Sequence, residues 1–209
     1  ISAFALPLLA FAIPLFFSGK SSRKSVGEFI FGFSFLFMGL EGLKSNAPDL
    51  SANPDMLAFI QNYTDMGFFS IIIFLLVGAI LTMIVQASAA TMAITLIMCA
   101  NGWIDYHLGV ALVLGENIGT TITANFAALT GNTQARRAAL AHLMFNVFGV
   151  IWVFILFYPF TNAVSWFVTH FMKITDPSVA ISFKLAAFHT AFNISNTCVM
   201  IWFVNLIEK

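Results

Sequence analysis

The stretch from Gly67 to Thr91, GFFSIIIFLLVGAILTMIVQASAAT, decides the fold of this chain. It is apolar as far as Val85, which is long enough in helical form to cross a bilayer core of roughly 30 Å. The sequence then turns polar at Gln86–Thr91, and a second apolar arm at 92–100 is too short to cross comfortably. We therefore expect two helices joined by a break at Gln86–Thr91, with a turn after the second arm at Asn101–Gly102.

The composition excludes an ordinary soluble protein. Of 209 residues, 60% are hydrophobic and only 9% are charged, whereas a soluble domain carries roughly 25% charge. Basic and acidic residues are equal in number, nine of each, and no basic stripe is dense enough to bind nucleic acid. We expect an all-α integral membrane protein and, because the chain opens with Ile1, a piece cut from a longer one.

Other segments are apolar enough to be membrane helices: residues 2–17, 28–43, 107–130, 138–160 and 180–207. The polar stretch 44–66 reads as an extracellular loop, and 161–178, with Trp166, as an external interfacial helix. The predicted organisation is connecting transmembrane helices and loop over 1–66, followed by a C-terminal transport repeat over 67–209.

Basic residues in short loops indicate the topology, because such residues stay on the cytoplasmic side. With Lys20–Lys24 inside, the helix at 28–43 crosses outward, and 107–130 is the single segment that brings Arg136–Arg137 back inside. Residues 67–102 must therefore begin and end on the same side. The short second arm favours a re-entrant hairpin over two full spans. Irregular backbone at such depth lines a cavity or is buried in protein, so the tip is expected to face a pathway in a multi-pass cell-membrane protein with Lys209 in the cytoplasm.

The hairpin tip is the first candidate site. Gln86, Ser88 and Thr91 place amide and hydroxyl groups where lipid would make them costly. The helix that starts at the tip offers backbone N–H groups and a positive dipole end, which suit an oxyanion. The alternative is a Ser/Thr-rich contact between helices.

The second candidate is Gly115–Thr121, a Gly-Glu-Asn-Ile-Gly-Thr-Thr sequence. If unwound, it would present backbone carbonyls with Asn117 and threonine hydroxyls, oxygen ligands that suit Na⁺. Gly115-x-x-x-Gly119 is also a small-xxx-small helix-packing motif. Glu116 is interpreted either as a cation or proton site or as a residue pointing into a wet vestibule.

A short internal repeat supplies the remaining polar residues: Ala139-x-x-His142-x-x-Phe145-Asn146 recurs as Ala186-x-x-His189-x-x-Phe192-Asn193. Each His–Asn pair lies on one helical face. The pairs are expected to form an interhelical hydrogen-bonded core, or else to lie beside the substrate. No ligand spacing for a transition metal and no hydrolase, zinc-protease or Walker motif is present, so we expect no enzyme activity.

The motifs Gln86–Thr91 and Gly115–Thr121 together resemble the sodium/phosphate cotransporter family, which includes the type II group and its bacterial relatives. Arg136–Asn146 and His189–Asn193 are similar to that family too, and the four motifs follow the family's order over about residues 3–207. Members have two inverted repeats, each with a hairpin tip and a discontinuous helix, and this chain looks like the second. The resemblance implies one half of an inverted-repeat transporter for sodium-coupled phosphate uptake.

The resemblance also implies residue roles. Phosphate would be bound by Gln86, Ser88 and Thr91. The coupling ion, Na⁺, would be bound by Asn117, Thr120, Thr121 and Glu116. Supporting residues would be His142, Asn146, His189 and Asn193. The implied partners are phosphate, Na⁺, the lipid bilayer, and either the missing N-terminal repeat or a second copy in a homodimer.

Two departures from the family pattern leave other functions open. Ala87-Ser88-Ala89 stands where the family has three serines, and Glu116 stands where it usually has alanine. One alternative is a proton-coupled or uncoupled transporter, or a channel, for another oxyanion. Another is a membrane interaction module without transport, which would need its polar clusters buried in helix contacts.

Overall fold

The structure, a computed structural model, describes residues 2–46, 58 and 62–204. Strands are absent from these residues, so the all-helical fold is confirmed. The helices are α1 (Ser2–Phe16), α2 (Ser21–Ser45), α3 (Phe68–Val85), α4 (Ser88–Ala100), α5 (Tyr106–Ala128), α6 (Thr133–Ile155), α7 (Phe157–Trp166) and α8 (Pro177–Met200). A π-helical turn, Phe167–Phe171, continues α7, and a 3₁₀ turn, Ile201–Phe203, follows α8.

The chain divides into two units, Ile1–Pro48 and Asp49–Lys209. In the first, α1 and α2 pack on each other. Small residues recur seven apart on each helix, with Ala5 and Ala12 on α1 and Gly27 and Ser34 on α2, and all four are buried. Large side chains such as Phe29 instead point outward. Small residues inside and apolar residues outside are typical of helices packed in lipid.

Helix α5 is the centre of the second unit. Val110–Leu114 is buried on every side, as expected of a helix surrounded by protein. Helices α3, α4, α6 and α8 all pack on it. Its N-terminus is fixed by Asp105, whose carboxylate accepts the Leu108 N–H at 2.8 Å, the side-chain cap that helix starts prefer.

Helices α3 and α4 form the expected hairpin, with the break at Gln86–Ala87. Gln86 adopts a left-handed conformation with φ of 56° and ends α3, while Ala87 is extended and begins α4. Thr82 lies beside Gly119 and Thr95 bonds to Glu116. Gly78 lies beside Leu112 and Thr82 beside Gly119, so α3 runs parallel to α5. Cys99 lies beside Gly109 whereas Thr95 contacts Glu116, so α4 runs antiparallel to α5. The predicted turn at Asn101–Gly102 is confirmed, with Gly102 at a φ of 71°.

The predicted discontinuity at Gly115–Thr121 is wrong, because α5 is one continuous helix through this segment. The glycines serve close packing instead. A Cβ at Gly115 would collide with the Leu75 carbonyl oxygen, and a Cβ at Gly119 would lie 2.5 Å from the Ala79 carbonyl oxygen. The small-xxx-small alternative is therefore correct, since a side chain at either position would force α3 away from α5.

Helices α6 to α8 complete the unit. α6 begins at an Asn132 cap that accepts the Ala135 N–H at 2.9 Å. The helical stretch α7 with its π-turn covers 157–171, so it begins inside the predicted 138–160 helix and includes only the first part of the 161–178 segment expected to be an external interfacial helix. Trp166 is exposed on it. α8 covers most of the predicted last helix. Residues 205–209, with Lys209, and most of the predicted 44–66 loop lie outside the described residues.

Two of the described helices, Phe68–Val85 and Thr133–Ile155, are long and apolar enough to cross a membrane, and Phe4–Phe16 and Ser88–Ala100 are shorter apolar helices. With thirteen residues, α4 is about 20 Å long, less than a bilayer core. That length agrees with an arm that turns back. The re-entrant placement of the hairpin in the membrane stays a prediction.

Candidate substrate and ion site

The hairpin tip presents its polar groups to the surroundings. Gln86, Ala87 and Ser88 are all exposed. No side chain caps the N-terminus of α4. The Ala90 and Thr91 N–H groups donate to the Ala87 carbonyl, which leaves the N–H groups of Ser88 and Ala89 without a side-chain acceptor. The first N–H groups of a helix carry a partial positive charge, so this end of α4 is suited to an anion.

Hydroxyl groups continue from the tip along one face of α4. Ser88, Thr91 and Thr95 are spaced three and four residues apart, which aligns them on a helix. Ser88 is exposed, whereas Thr91 and Thr95 are 0% and 1% exposed. The Thr91 hydroxyl donates to the Ala87 carbonyl at 3.3 Å. The row therefore passes from the outside of the hairpin into the contact between α4 and α5.

Glu116 lies at the inner end of this row. The Thr95 hydroxyl donates to Glu116 Oε1 at 2.7 Å, joining α4 to α5. Glu116 is 3% exposed, so the vestibule interpretation is wrong for the chain as the structure has it. Salt bridges within the described ranges join Lys24 to Glu28 and His107 to Asp105, and none involves Glu116. The carboxyl has a hydroxyl partner but no countercharge.

Two of the other expected Na⁺ ligands, Thr120 and Thr121, bond within their own helix, and the third, Asn117, does not. The Thr120 hydroxyl donates to the Glu116 carbonyl at 2.8 Å, and the Thr121 hydroxyl donates to the Ile118 carbonyl at 2.7 Å. The side-chain nitrogen of Asn117 is buried without a hydrogen-bond partner. Because α5 is continuous, its backbone carbonyls are used within the helix, and the expected carbonyl ligands are not free.

The His–Asn pairs do not form the expected interhelical core. The Asn146 amide donates to the His142 carbonyl at 3.1 Å, and the Asn193 amide donates to the His189 carbonyl at 2.8 Å. Each bond spans one turn of a single helix. Both copies of the repeat thus have the same local geometry, a bond to the preceding turn that competes with longer-range partners.

The polar link between α6 and α8 is made by Asn196, which sequence reasoning missed. Its amide donates to the Phe145 carbonyl at 2.8 Å and its Oδ1 accepts from Trp152 Nε1 at 3.2 Å. A Cβ at Gly149 would lie 2.6 Å from the Asn196 nitrogen. The available signal was a glycine on one apolar helix and an asparagine on another, a pairing of small and polar residues that membrane helices use.

A helical hairpin broken at a polar tip, packed on a central helix with buried polar groups, is typical of helical membrane transport proteins. Comparison identifies the family. The model of the Na⁺/Pi-cotransporter family matches residues 50–174, more than half of the chain, and the chain belongs to this family.

Three relatives illustrate the match. "Uncharacterized protein YqeW" of Bacillus subtilis is 30% identical over 97% of this chain and 61% of its own length. "Putative inorganic phosphate export protein YjbB" of Salmonella typhimurium is 25% identical over 97% of this chain and 35% of its own length. "Sodium-dependent phosphate transport protein 2B" of Rattus norvegicus is 40% identical over 41% of this chain and 12% of its own length.

The chain thus spans 61% of the Bacillus relative and 35% of the Salmonella one. The relatives whose names state a function are named as transport proteins and not as enzymes. No solved structure matches the chain.

Proposed function

We propose that the full protein carries inorganic phosphate across the cell membrane by coupling it to Na⁺, as a multi-pass secondary transporter. Family membership supports phosphate as the substrate. The observation that carries the proposal is the exposed, uncapped start of α4 at a helix break whose flanking residues are polar. Such half-helix ends receive anionic groups of substrates in transporters.

Phosphate binds at the hairpin tip in this proposal. Ser88 and the first N–H groups of α4 donate to the phosphate oxygens, and the Gln86 amide donates from the other side of the break. Thr91 is buried and bonded to Ala87, so it supports the tip. A helix N-terminus and hydroxyl donors without a competing side-chain acceptor form a site that favours an oxyanion.

Na⁺ binds beside the tip, on the face of α5 that carries Asn117, Thr120 and Thr121. Because the α5 carbonyls are engaged in the helix, the side-chain oxygens of these residues are the ligands on offer. Glu116 supplies a carboxyl next to them in the sequence. The amide nitrogen of Asn117 has no hydrogen-bond partner, so binding an ion through this side chain breaks no hydrogen bond of that nitrogen.

This chain forms one half of the transport pathway. The tip is exposed, and a second hairpin tip facing it would enclose the substrate. We propose that an N-terminal repeat of the same protein supplies the second tip, and that a second copy of this chain takes that place where the repeat is absent. Inverted repeats with the site at their interface are a general design of secondary transporters.

The decisive experiment measures labelled phosphate uptake into proteoliposomes that contain the full-length protein. An inward Na⁺ gradient is compared with an inward K⁺ gradient of equal size, and then with a reversed Na⁺ gradient. Uptake that follows the Na⁺ gradient in direction and magnitude supports the proposal. Equal uptake in Na⁺ and K⁺ would refute sodium coupling, and no phosphate movement in any gradient would refute the substrate.

A further inference from the structure

A groove lies on the surface of the second unit between α8 and the stretch made of α7 and its π-turn. Its volume is about 620 Å³, and it is lined by Val164 and Phe167 on one side and by residues of α8 between Phe183 and Ser195 on the other. Apart from two hydroxyls the lining side chains are apolar, and the Thr190 hydroxyl donates to the Ala186 carbonyl at 2.9 Å within its own helix. The α7–α8 groove is therefore suited to hydrocarbon.

An apolar groove in a bilayer does not stay empty. The atoms of its walls would lose dispersion contacts, and water is unfavourable where it finds few polar partners. The chain belongs to a transporter family, and in the proposed function the second unit lies in a bilayer. The two kinds of occupant are then a lipid tail and an apolar protein helix.

The dimensions of the α7–α8 groove favour a lipid tail. The distance from Phe183 to Ser195 along α8 is about 18 Å, at about 1.5 Å per residue. The volume of about 620 Å³ over this length gives a mean cross-section of roughly 35 Å². A helix with its side chains is about 10–12 Å across, which is roughly 80–110 Å². One leaflet of a bilayer core is about 15 Å thick, so the groove is long enough for one tail of one leaflet and too narrow to enclose a helix.

A cation lies at one end of the α7–α8 groove. Met172, which lines the groove, belongs to the link between the π-turn and α8, and Lys173 follows it directly. Lys173 is exposed, and no acidic side chain within the described ranges forms an ion pair with it. Asp176 in the same link accepts the Val179 N–H at 3.4 Å, at the start of α8. The charge of Lys173 is complementary to the phosphate of a lipid headgroup.

We propose that the α7–α8 groove binds one acyl tail of an anionic phospholipid whose phosphate lies beside Lys173. The tail follows α8 from Phe183 towards Ser195. The headgroup lies at the end of the groove near the link, on the side of the stretch where Trp166 is exposed, as tryptophans at headgroup depth commonly are. The inference rests on the proposed function in one respect, since it takes the second unit to lie in a bilayer.

The first test reconstitutes the full-length protein in bilayers that contain phosphatidylglycerol with a photoactivatable diazirine in one tail. After illumination, mass spectrometry locates the labelled peptides. The label is expected to concentrate on α8 between Phe183 and Ser195. Equal labelling of all exposed apolar faces would mean ordinary lipid contact and would overturn the inference. Label on other faces but not in the groove would mean that a protein helix fills it, which would also overturn the inference.

A variant that fills the groove sharpens this test. Ala186 lines the groove and is exposed, so the larger side chain in Ala186→Phe occupies the groove without entering the core. Labelling of the groove is expected to fall to the level of the other apolar faces. Thr197→Phe is the matched control, because Thr197 is exposed on the same helix outside the groove. Equal labelling of the groove in A186F and T197F would contradict the proposed site.

Lys173→Gln tests the headgroup contact and replaces A186F if that variant fails to fold. Labelling by the phosphatidylglycerol probe is compared with labelling by a phosphatidylcholine probe that has the same tail. The preference for the anionic lipid is expected to fall about fivefold, as for one lysine near a charged bilayer surface. Lys184→Gln is the control, because its ammonium lies 5.9 Å from the centre of the Tyr106 ring. The same preference in K173Q and K184Q would refute the headgroup contact.

These measurements need no phosphate transport, so the two proposals can fail separately. A labelled groove in a protein that moves no phosphate would support the lipid site and refute transport. An unlabelled groove in a protein that transports phosphate would refute the lipid site alone. Absence of label from the whole second unit would refute both the lipid site and the placement of this unit in the bilayer.

Discussion

Two segments of the second unit carry the same sequence signals of a helix break, yet only one of them is broken. Gln86–Thr91 and Gly115–Thr121 both interrupt apolar runs with small and polar residues. At the first, α3 ends and α4 begins; at the second, α5 continues. The difference lies in the neighbours, since Gly115 and Gly119 meet backbone atoms of α3, whereas the Gln86–Ser88 tip is exposed. Small and polar residues that interrupt an apolar run thus indicate either a helix break or a close helix contact, and only the partner helix distinguishes the two.

The largest effect is expected at Gly115. In Gly115→Ala the new Cβ would collide with the Leu75 carbonyl oxygen. We expect a loss of stability at the upper end of about 1–3 kcal/mol, seen as a lower thermal unfolding midpoint in detergent. Gly32→Ala is the matched control, because nothing lies within 4 Å of its Cβ position and helical Gly→Ala exchanges gain up to about 1 kcal/mol. If both variants are equally stable, the close contact of α3 with α5 is incorrect.

The tip is expected to affect transport and not folding. Gln86→Gly removes the side chain while permitting the left-handed backbone, and Ser88→Ala removes a hydroxyl. Each should lower phosphate uptake about 10- to 100-fold, as expected for one lost hydrogen bond to a charged group, with unchanged membrane insertion. Asn101→Ala, at the exposed far end of α4, is the control. Normal phosphate uptake in both Q86G and S88A would show that the hairpin tip is not part of the phosphate-binding site.

A smaller effect on stability is expected for the asparagines of α8, where an asparagine bonded between helices is compared with one bonded within its own helix. Asn196→Ala breaks the link between α6 and α8 and leaves the Trp152 N–H without its acceptor, which costs about 1–3 kcal/mol. Asn193→Ala removes only a bond within one helix and should lower the unfolding midpoint much less. Equal losses in the two variants would mean that the interhelical bond contributes no more than the local one.

The smallest effect is expected at Thr82, one turn before the break. Its hydroxyl oxygen is buried without a hydrogen-bond partner. Thr82→Val should leave stability unchanged or raise it by up to about 1 kcal/mol, because replacing an unsatisfied buried polar group with an apolar one of similar shape removes a penalty. Thr161→Val, which deletes a hydroxyl bonded to the Phe157 carbonyl at 2.8 Å, should lower stability. The reverse order in thermal unfolding would show that the Thr82 hydroxyl has a partner.

The sequence predicts those structural features that depend on residues close together in the chain. The break at Gln86 and the turn at Asn101–Gly102 follow from residue types within a few positions. The continuity of α5 could not be predicted this way, because its cause is the backbone of α3 at Leu75 and Ala79. The hydrogen-bond partner of Glu116 could not be predicted either, because Thr95 is on another helix.

The polar bonds were misjudged for a related reason. Spacing correctly placed His142 and Asn146 on one face, but the bond that forms is the local one, from the asparagine to the preceding turn. Asn196 looked unremarkable in the sequence because its carbonyl and indole partners, at Phe145 and Trp152, lie on α6. The positions of polar residues are thus readable from the sequence, whereas their partners require the packing.

The close parallel packing of α3 on α5 restricts relative movement of the two helices, and it restricts insertions and deletions in α3. Gly78 on α3 lies against the backbone of Leu112 on α5, and Gly115 on α5 lies against the backbone of Leu75 on α3. Each helix thus has a glycine at a point where the other helix's backbone comes close. Sliding α3 by one residue would place a side chain in each of these spaces. Any rigid-body motion within this unit is therefore expected to carry α3 and α5 together. For the same reason, single-residue insertions and deletions between Leu75 and Thr82 should be excluded from any working descendant of this sequence.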